Sequence, residues 1–485
     1  MCVALEAQSR VIPCSTLQIV FHFTDNSSNY GRHFVLGFTE QFHQNGYIQV
    51  SIVAKFDTIV TVATLTSSSR QPIVLNVKAG NIMQYKLLPI SLRMQGISIE
   101  RKGIEINSTE DVTLFCLNYG VGTSDGYLAL PTNALGTVYV VASYQPSVFT
   151  ANFGIISVNN ETNIRIKLNT IGNITYRGTS YSKGSSFSIT LDKLETFHIS
   201  HLYDLSGTII TANKPISVIS GNRCANVGGV GYCDHLAAFL LPVKNWGNEF
   251  VVATTGSMGK RVGPVIFRVF AYENNTIVYK ADRESVLLSG EFTEIDVTDG
   301  DLASSVHCSK PCQVVQYVKS RYRTDIGYYA DPSMIVLPSV KQFLSYYHVA
   351  LFTKSAFIRH YITLLIKNCY NNGLIMNGTA MNGLHWETIN GTNYTWTVIN
   401  VSGFDSVTIS HTSPEKSFGL LVFGEGDHVS YGYPGGFALI DTNKYNGKTT
   451  FVHIVNCRFQ SLFKVYSTLL QNHTLSLALA STGKA

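Results

Sequence analysis

The chain has 485 residues, more than one compact hydrophobic core usually fills, so two to four structural units are expected. Its 45% of hydrophobic and 14% of charged residues exclude a disordered chain, which needs the reverse balance. The net charge of +5 gives no reason to expect nucleic acid or an anionic membrane as partner, and no apolar run is long enough to predict an integral membrane segment.

The N-terminal segment, residues 1–27, does not read as a signal peptide. It lacks a basic start and a continuous apolar stretch, and Arg10 and Pro13 interrupt it. If the protein is secreted, we therefore expect this sequence to be a fragment or to lack its true start.

Strand patterns dominate the rest of the chain. Apolar and polar residues alternate over 48–56, 164–168 and 186–191, which places one set of side chains on a buried face and the other in water. The chain also contains 26 Tyr, 26 Phe and 39 Gly, a composition typical of short strands separated by turns. These features predict an all-β fold.

A pattern of glycine followed three places later by an aromatic residue recurs along the chain. The copies are Gly31-Arg-His-Phe34, Gly136-Thr-Val-Tyr139, Gly247-Asn-Glu-Phe250 and a degenerate fourth, Phe343-Leu-Ser-Tyr346. Their first residues stand 105, 111 and 96 positions apart (136−31, 247−136, 343−247), and Pro131, Pro242 and Pro338 each lie five residues before the next copy. The pattern predicts four repeats at 28–131, 132–242, 243–338 and 339–435, followed by a C-terminal tail at 436–485.

Each predicted repeat offers about seven short strands, which fits one antiparallel β-sandwich-like unit. The same count fits two blades of a closed β-propeller, and this alternative stays open. A second landmark, Lys214-Pro215 and Lys310-Pro311, lies late in two repeats. Because proline cannot donate to a strand ladder, residues 209–218 are predicted to form a tight hairpin around Lys214-Pro215.

Few residues suggest catalysis or metal binding. Ser124 lies in a Gly-x-Ser-x-Gly string, but a strand or turn follows instead of the helix that a nucleophile elbow requires. His198 and His201 are three apart, so on a strand they face opposite sides. We therefore predict no catalytic site, no cofactor and no metal.

The nine cysteines include two local pairs. Cys224 and Cys233 flank a loop with three glycines, and a disulfide, a metal site with Asp234 and His235, and free thiols are the alternatives. A disulfide is favoured because zinc clusters usually have tighter spacing and a second cysteine pair. Cys308 and Cys312 form a possible second disulfide, and the remaining five cysteines cannot be paired from the sequence.

Ten Asn-x-Ser/Thr sequons exceed the roughly five that chance would produce from this composition. They begin at Asn26, Asn107, Asn160, Asn173, Asn274, Asn377, Asn390, Asn393, Asn400 and Asn472. This excess predicts N-glycosylation and therefore an extracellular protein.

The run from Asp204-Leu-Ser-Gly207 through Lys214-Pro215 to Ser220-Gly221 continues to Cys224, Cys233, Leu241-Pro242 and Trp246-Gly247. It resembles the N-terminal domain of the IgGFc-binding protein family, and weaker matches extend the resemblance over about residues 28–435. The resemblance implies a secreted or cell-surface, non-enzymatic module, and it supports the Cys224–Cys233 disulfide because both positions match cysteines of the family's loop.

The function hypothesis is an extracellular adhesion or recognition module that binds glycoproteins, with a mucin-like or immunoglobulin-like ligand. One alternative is a structural component of a mucus or extracellular-matrix polymer, joined by disulfides from the spare cysteines. A hydrolase that uses Ser124 is the third and weakest hypothesis. Nucleic acid is not expected as a partner.

Overall fold

The computed structural model describes residues 18–21, 27–43, 45–65, 72–228, 232–255, 265–280, 283–297, 302–323, 328–353, 356–439, 450–453 and 477–479. The chain divides into a main unit, Ser27–Ile440, and a terminal unit that combines Met1–Asn26 with Asp441–Ala485. The all-β prediction is confirmed, since the described residues contain strands, short 3₁₀ turns and no α-helix. None of the described helical turns has the length and hydropathy needed to cross a membrane.

The strands are given in chain order. The first ten are β1 (Gln18–Phe21), β2 (Ser27–Ser28), β3 (Gly31–Leu36), β4 (Gly46–Ala54), β5 (Thr58–Thr64), β6 (Ile73–Val77), β7 (Ile82–Leu88), β8 (Ser98–Glu100), β9 (Ile104–Gly120) and β10 (Thr123–Ala129). Then come β11 (Gly136–Val140), β12 (Ala151–Ser157), β13 (Thr162–Lys167), β14 (Ile174–Tyr176), β15 (Thr179–Tyr181), β16 (Ser186–Leu191), β17 (Thr196–His201), β18 (Ile209–Ala225) and β19 (Asp234–Phe239). The third stretch has β20 (Gly247–Ala253), β21 (Val265–Ala271), β22 (Thr276–Lys280), β23 (Arg283–Leu287), β24 (Phe292–Val297), β25 (Ala303–Val318), β26 (Arg321–Arg323), β27 (Tyr328–Ala330) and β28 (Ser333–Val336). The last has β29 (Tyr346–Ala350), β30 (Phe357–Lys367), β31 (Leu374–Met376), β32 (Thr379–Ala380), β33 (Glu387–Thr388), β34 (Tyr394–Asn400), β35 (Ser406–His411), β36 (Gly419–Gly426), β37 (Val429–Pro434), β38 (Ala438–Leu439), β39 (Thr450–His453) and β40 (Leu477–Leu479). The 3₁₀ turns are Ile90–Leu92, Thr132–Ala134, Val243–Asn245, Val340–Gln342 and Asn368–Tyr370.

In the main unit, three antiparallel sheets share one strand arrangement around a long central strand. Their orders are β6-β5-β9-β4-β7, β16-β13-β18-β12-β17-β8 and β23-β22-β25-β21-β24. In each sheet, two further strands pair with the long strand: β3 and β10 with β9, β11 and β19 with β18, and β20 and β28 with β25. In the terminal unit, β1 pairs with β39 and β40.

The predicted hairpin at residues 209–218 is wrong, because these residues belong to the continuous strand β18. Pro215 lies instead in a bulge, where residues 212–215 stand opposite the single residue Thr137 of β11. β18 pairs with β13 before the bulge and with β12 after it, so the strand changes partners without reversing. β9 and β25 contain the same four-residue irregularity at 108–111 and 308–311. Pro215 is tolerated there because a bulge does not require its missing N–H.

The glycines that begin β3, β11 and β20 are explained by close packing. A Cβ added to Gly31 would lie 2.4 Å from the Pro131 Cβ, and one added to Gly136 would lie 2.5 Å from the Pro242 Cβ. At Gly247 the corresponding contact is 2.3 Å, to the Ser339 Oγ. A side chain at Gly31 or Gly136 would therefore displace Pro131 or Pro242, and one at Gly247 would displace Ser339, which follows Pro338.

The fourth copy of the pattern is displaced by one residue from its predicted register. Tyr139 accepts a hydrogen bond from the Gly136 N–H (3.0 Å) and donates to a carbonyl of the long strand. In the fourth copy Tyr347, not Tyr346, makes the equivalent bonds, accepting from the Leu344 N–H (2.9 Å) and donating to the Phe418 carbonyl. The hydroxyl thus identifies the register more reliably than the degenerate sequence did.

The four repeat boundaries and the propeller alternative stay predictions. β8 lies within the predicted first repeat but pairs with β17 in the second sheet. β2, at the start of the main unit, pairs with β38 beyond residue 435. One hydrophobic core extends through much of the main unit.

Candidate binding face

Four strands pack together at the centre of the main unit. They are β10, β19, β28 and β37, and all their residues are buried. Three of them pair with the long strands β9, β18 and β25, and the fourth is the last strand of a further sheet, of order β33-β34-β30-β36-β37. Because a strand buried on both faces offers no surface of its own, any binding residues near it must lie on the connections at its ends.

The connections that lead into these four strands converge on one surface, which we call the turn face. It consists of residues 121–122, 228, 232, 319 and 427–428, and Val227 and Ser320 are buried at its base. The Ser320 N–H donates to the Val227 carbonyl at 3.0 Å, and the Ser320 Oγ donates to the Tyr232 carbonyl at 2.9 Å. The rings of Tyr232 and His428 are 4.8 Å apart, and a Cβ on Gly122 would lie 4.0 Å from the His428 Cβ. These contacts join the four connections into one surface.

The turn face exposes apolar groups at its tips. Val121 is 62% exposed and Tyr232 is 56% exposed, and Tyr232 lies edge-on to the His428 imidazole. An aromatic ring with a polar tip and an exposed aliphatic side chain are typical of protein recognition surfaces. The turn face is therefore suited to contact another macromolecule.

A disulfide joins Cys224 and Cys233 at the base of one of these connections, with their Cα atoms 5.2 Å apart. The bridge closes the segment that contains Tyr232 and ties the end of β18 to the start of β19. The disulfide thus limits the conformations available to the connection that contains Tyr232, one of the four that form the turn face.

We expect the double variant Cys224→Ala/Cys233→Ala to lose about 2–4 kcal/mol of unfolding free energy, because the bridge constrains the unfolded chain. Thermal unfolding with and without reductant measures the loss. The control is Cys308→Ala/Cys312→Ala, which opens a loop with a sequence separation of 4 instead of 9 and should cost less. Equal stability of wild type and the first variant would contradict the prediction.

The Cys308–Cys312 disulfide lies across the bulge in β25. Four residues of regular strand span ~13 Å, whereas these Cα atoms are 6.3 Å apart. The bulge therefore brings the two cysteines within bonding distance. Cys116 is a buried thiol whose pKa is raised by burial, Cys369 is an exposed thiol, and Cys2, Cys14 and Cys457 lie outside the described residues.

Beneath the turn face, the carboxylate of Asp125 connects all four central strands. One oxygen accepts hydrogen bonds from the N–H groups of Gly126 (2.8 Å) and Gly432 (3.2 Å). The other accepts from Ala237 and Met334, both at 3.0 Å. The donors thus belong to β10, β37, β19 and β28. A single side chain satisfies four buried donors that the strand ladders leave unpaired.

The serine considered for catalysis and the aspartate and histidines considered for metal binding are buried, except His201, which is half-buried. The Ser124 Oγ lies on β10, is buried, and donates to the Ser430 carbonyl at 2.7 Å, so it is not on a strand-to-helix turn. His235 bonds the Asn222 carbonyl through Nδ1 (2.8 Å) and the Asn118 amide through Nε2 (2.9 Å). Burial lowers the pKa of His235 to about 3, so the ring is neutral. Asp234, His198 and His201 have separate partners, and no three His, Cys, Asp or Glu among the described residues converge on a metal position.

The sequon asparagines within the described residues all lie in exposed positions. These are Asn107, Asn160, Asn173, Asn274, Asn377, Asn390, Asn393 and Asn400. In Asn160, Asn274 and Asn377 the side-chain oxygen accepts a backbone hydrogen bond. Asn26 and Asn472 lie outside the described residues. Glycosylation at these positions stays a prediction.

Sequence reasoning missed Asp125, Asp331 and the exposed pair Val121 and Tyr232. Asp125 lies in the Gly-x-Ser-x-Gly string, just before the predicted strand or turn, and nothing in that string showed that it would be buried. For Tyr232, the adjacent disulfide loop was recognised, but the sequence does not show which loops meet.

The fold and the turn face define an all-β module that presents joined turns on a rigid scaffold. Residues 125–424 match the family model described as IgGFc binding protein, and the chain belongs to that family. Over 417 residues it is 24% identical to the human IgGFc-binding protein (Homo sapiens), a match that covers 83% of this chain and 7% of that protein. The chain thus spans a small part of its relative's length.

Two solved structures give weak similarity. A trypsin-activated α2-macroglobulin from Escherichia coli is 7% identical and has a TM-score of 0.14, with 84% of this chain and 41% of that chain covered. A tetra-tandem repeat from the extending region of a large adhesion protein is 10% identical and has a TM-score of 0.11, with 80% and 93% covered. TM-scores this low carry no argument about fold or function.

Proposed function

We propose that this chain is a non-enzymatic, extracellular recognition module that binds the Fc part of an immunoglobulin through the turn face. The observation that carries the proposal is the convergence of four connections on one surface with Val121 and Tyr232 exposed at its tips. Family membership supports a binding role, and the name of the human relative supports an immunoglobulin as the partner.

Three features support an extracellular, non-enzymatic role. Two disulfides are formed, which persist in oxidising compartments. Eight sequon asparagines are exposed. The hydroxyl of Ser124, the one nucleophile candidate considered from the sequence, is buried and donates to a backbone carbonyl.

The test is binding of the purified, secreted chain to immobilised human IgG Fc fragment, measured for wild type and for Val121→Asp and Tyr232→Asp. An unpaired carboxylate at the centre of an apolar contact should weaken binding by about 2 kcal/mol, roughly 30-fold. Val286→Asp is the matched control, because Val286 is 63% exposed and lies on β23, away from the turn face. Its affinity should equal that of wild type.

Two results would contradict the proposal. If Val121→Asp and Tyr232→Asp bound Fc as tightly as wild type and Val286→Asp do, another surface would bind Fc. In the second case, wild type would fail to bind Fc but bind purified mucin saturably, with Tyr232→Asp abolishing that binding. The turn face would then be the binding surface, and its partner would be mucin.

A further inference from the structure

A second carboxylate lies directly below the turn face, at the start of β19. Asp234 is fully buried, and its Oδ1 accepts three hydrogen bonds, from the Thr123 hydroxyl at 2.5 Å and from the N–H groups of Ser124 and His235, both at 2.7 Å. Its Oδ2 is also buried, but no donor reaches it within the part of the chain that the structure describes. Oδ1 thus has three hydrogen-bond donors, whereas Oδ2 has none among the described residues.

A third carboxylate, Asp331, shares this environment. It is 1% exposed, it precedes β28, and neither of its oxygens has a hydrogen-bond donor among the described residues. The neighbouring Pro332 carbonyl accepts from the Ser430 Oγ at 2.6 Å, which fixes the segment beside β37. A chain of hydrogen bonds places the two residues near each other: the Ser124 N–H donates to Asp234 Oδ1, the Ser124 Oγ donates to the Ser430 carbonyl, and the Ser430 Oγ donates to the carbonyl of Pro332, which follows Asp331. The strands β19 and β28 are also in contact.

The groups around this pair do not neutralise it. Asp427 on the turn face adds negative charge, and the imidazole of His428 is engaged by Asp427 at 2.8 Å. Asp125 on β10 is a further acidic group, whose pKa is raised by burial and lowered by its four backbone hydrogen bonds, with burial the larger effect. His235 on β19 is neutral, and the Lys319 ammonium pairs with Asp296 at 2.6 Å. Glu425 on β36 is buried and carries a further carboxylate.

Two adjacent buried carboxylates do not both stay ionised on their own. Either a proton neutralises one of them or a bound cation compensates their charge. A calcium ion takes six to eight oxygen ligands, usually from several carboxylates. Among the described residues no three acidic, histidine or cysteine side chains converge on a metal position. The geometry therefore favours a proton. Consistently, burial and then Asp331 raise the pKa of Asp234 well above its ordinary value, and burial and then Asp427 raise the pKa of Asp331 to about 8.

We propose that Asp234 and Asp331 share one proton, held in an O–H···O bond between their carboxyl groups, and that this proton holds the segment before β28 against β19 below the turn face. The inference rests on the proposed function in one respect, that the turn face is the binding surface. Loss of the proton leaves two adjacent negative charges in an apolar interior, and their repulsion separates the connections at 232 and 319–320. Binding at the turn face then weakens as the pH rises.

The sign of the pH dependence follows from linkage. In the folded chain the pKa of Asp331 is about 8, and in an unfolded chain an aspartate titrates near ~3.9. The stabilisation supplied by the bound proton is therefore complete below about pH 4 and is lost as the pH rises to about 8. A pair of hydrogen-bonded, fully ionised aspartates would give the opposite slope.

The experiment compares thermal unfolding of wild type and Asp331→Asn between about pH 5 and about pH 9. Asparagine is uncharged and nearly isosteric, and its amide can donate permanently to the Asp234 Oδ2. We expect the melting temperature of wild type to fall by ~5 °C or more over this range relative to Asp331→Asn, whose curve should be flatter. Asp111→Asn, an exposed aspartate, is the control and should follow wild type.

Three further measurements make the result decisive. An infrared band of a protonated carboxyl group should be present in wild type at neutral pH and weaker in Asp331→Asn, because burial also raises the pKa of Asp125 and of Asp234. Calcium should leave the melting temperature of wild type unchanged, and a calcium-dependent rise that Asp331→Asn abolishes would overturn the proposal in favour of a cation. Fc affinity should fall about tenfold in wild type toward high pH and stay constant in Asp331→Asn.

Parallel melting curves for wild type and Asp331→Asn, or no carboxyl band in wild type, would overturn the shared proton. The band is measured on wild type alone, so the proposal can be rejected even if the variant does not fold. If the melting curves differ as expected but wild type does not bind Fc, the shared proton stands and the proposed function fails.

Discussion

Asp125→Ala is expected to abolish folding, because it removes the acceptor for four buried N–H groups at once. Each buried donor left unpaired costs ~1–3 kcal/mol, so four cost roughly 4–12 kcal/mol. That loss is comparable with the whole stability of a typical domain, roughly 5–15 kcal/mol. We expect no secreted, folded protein from this variant.

Asp125→Asn is a milder substitution, and we expect it to fold, so that its loss of stability can be measured. Its amide oxygen can still accept from two of the four donors, but its NH₂ group then faces the remaining N–H groups, which cannot accept. We expect a loss of roughly 2–6 kcal/mol, read from denaturant unfolding monitored by tyrosine and tryptophan fluorescence.

Asp57→Asn is the control for Asp125→Asn. The Asp57 carboxylate also accepts a backbone N–H, from Ala79 at 2.9 Å, but it is exposed, so its replacement should change stability far less than Asp125→Asn does. If Asp125→Asn were as stable as Asp57→Asn, the four hydrogen bonds would not hold the central strands together.

The second large effect is expected at Arg268, a cation 6% exposed that connects the second and third sheets. Its guanidinium donates to the Asp204 carboxylate at 2.7 Å, to the Ser143 carbonyl at 2.9 Å and to the Glu294 carboxylate at 3.0 Å. The rings of Tyr144 and Phe292 lie 4.4 and 4.5 Å from the guanidinium carbon. The site combines ion pairing with cation–π contacts in a buried setting.

Arg268→Met should cost at most about 3–5 kcal/mol, because Asp204, which is half-buried, then loses its cation. The double variant Arg268→Met/Asp204→Asn should recover part of the loss, since it removes the unpaired charge as well. Arg32→Met is the control: Arg32 makes exposed pairs with Glu110 and Asp111, which are worth at most about 1 kcal/mol. Equal losses in the single and double variants would show that the carboxylate does not depend on Arg268.

The same pair predicts a pH effect. Burial alone would raise the pKa of Asp204, but the charge of Arg268 and three hydrogen bonds lower it below its ordinary value. Because the folded pKa is depressed, the stabilisation is present above about pH 4 and is lost as the pH falls through the folded pKa. In Arg268→Met this loss on acidification should disappear.

Local sequence predicted the parts of this fold that depend on near neighbours. Alternation at 164–168 and 186–191 identified β13 and β16, because a half-buried strand needs a side-chain period of two. The hairpin predicted at Pro215 failed because proline marks a bulge as well as a turn. Which of the two forms depends on whether distant strands, here β12 and β13, pair on both sides of it.

The sequence by itself determined an all-β chain, its glycine–aromatic landmarks and the family to which its central run belongs, since each of these depends on residue type and short spacing. Only the tertiary structure decided the turn face and the role of Asp125. Its carboxylate binds amides 112, 209 and 307 residues away, and nothing in the local pattern indicates which strands will meet at such separations. Long-range strand pairing selects those partners, because buried donors must find an acceptor wherever the packed strands bring one.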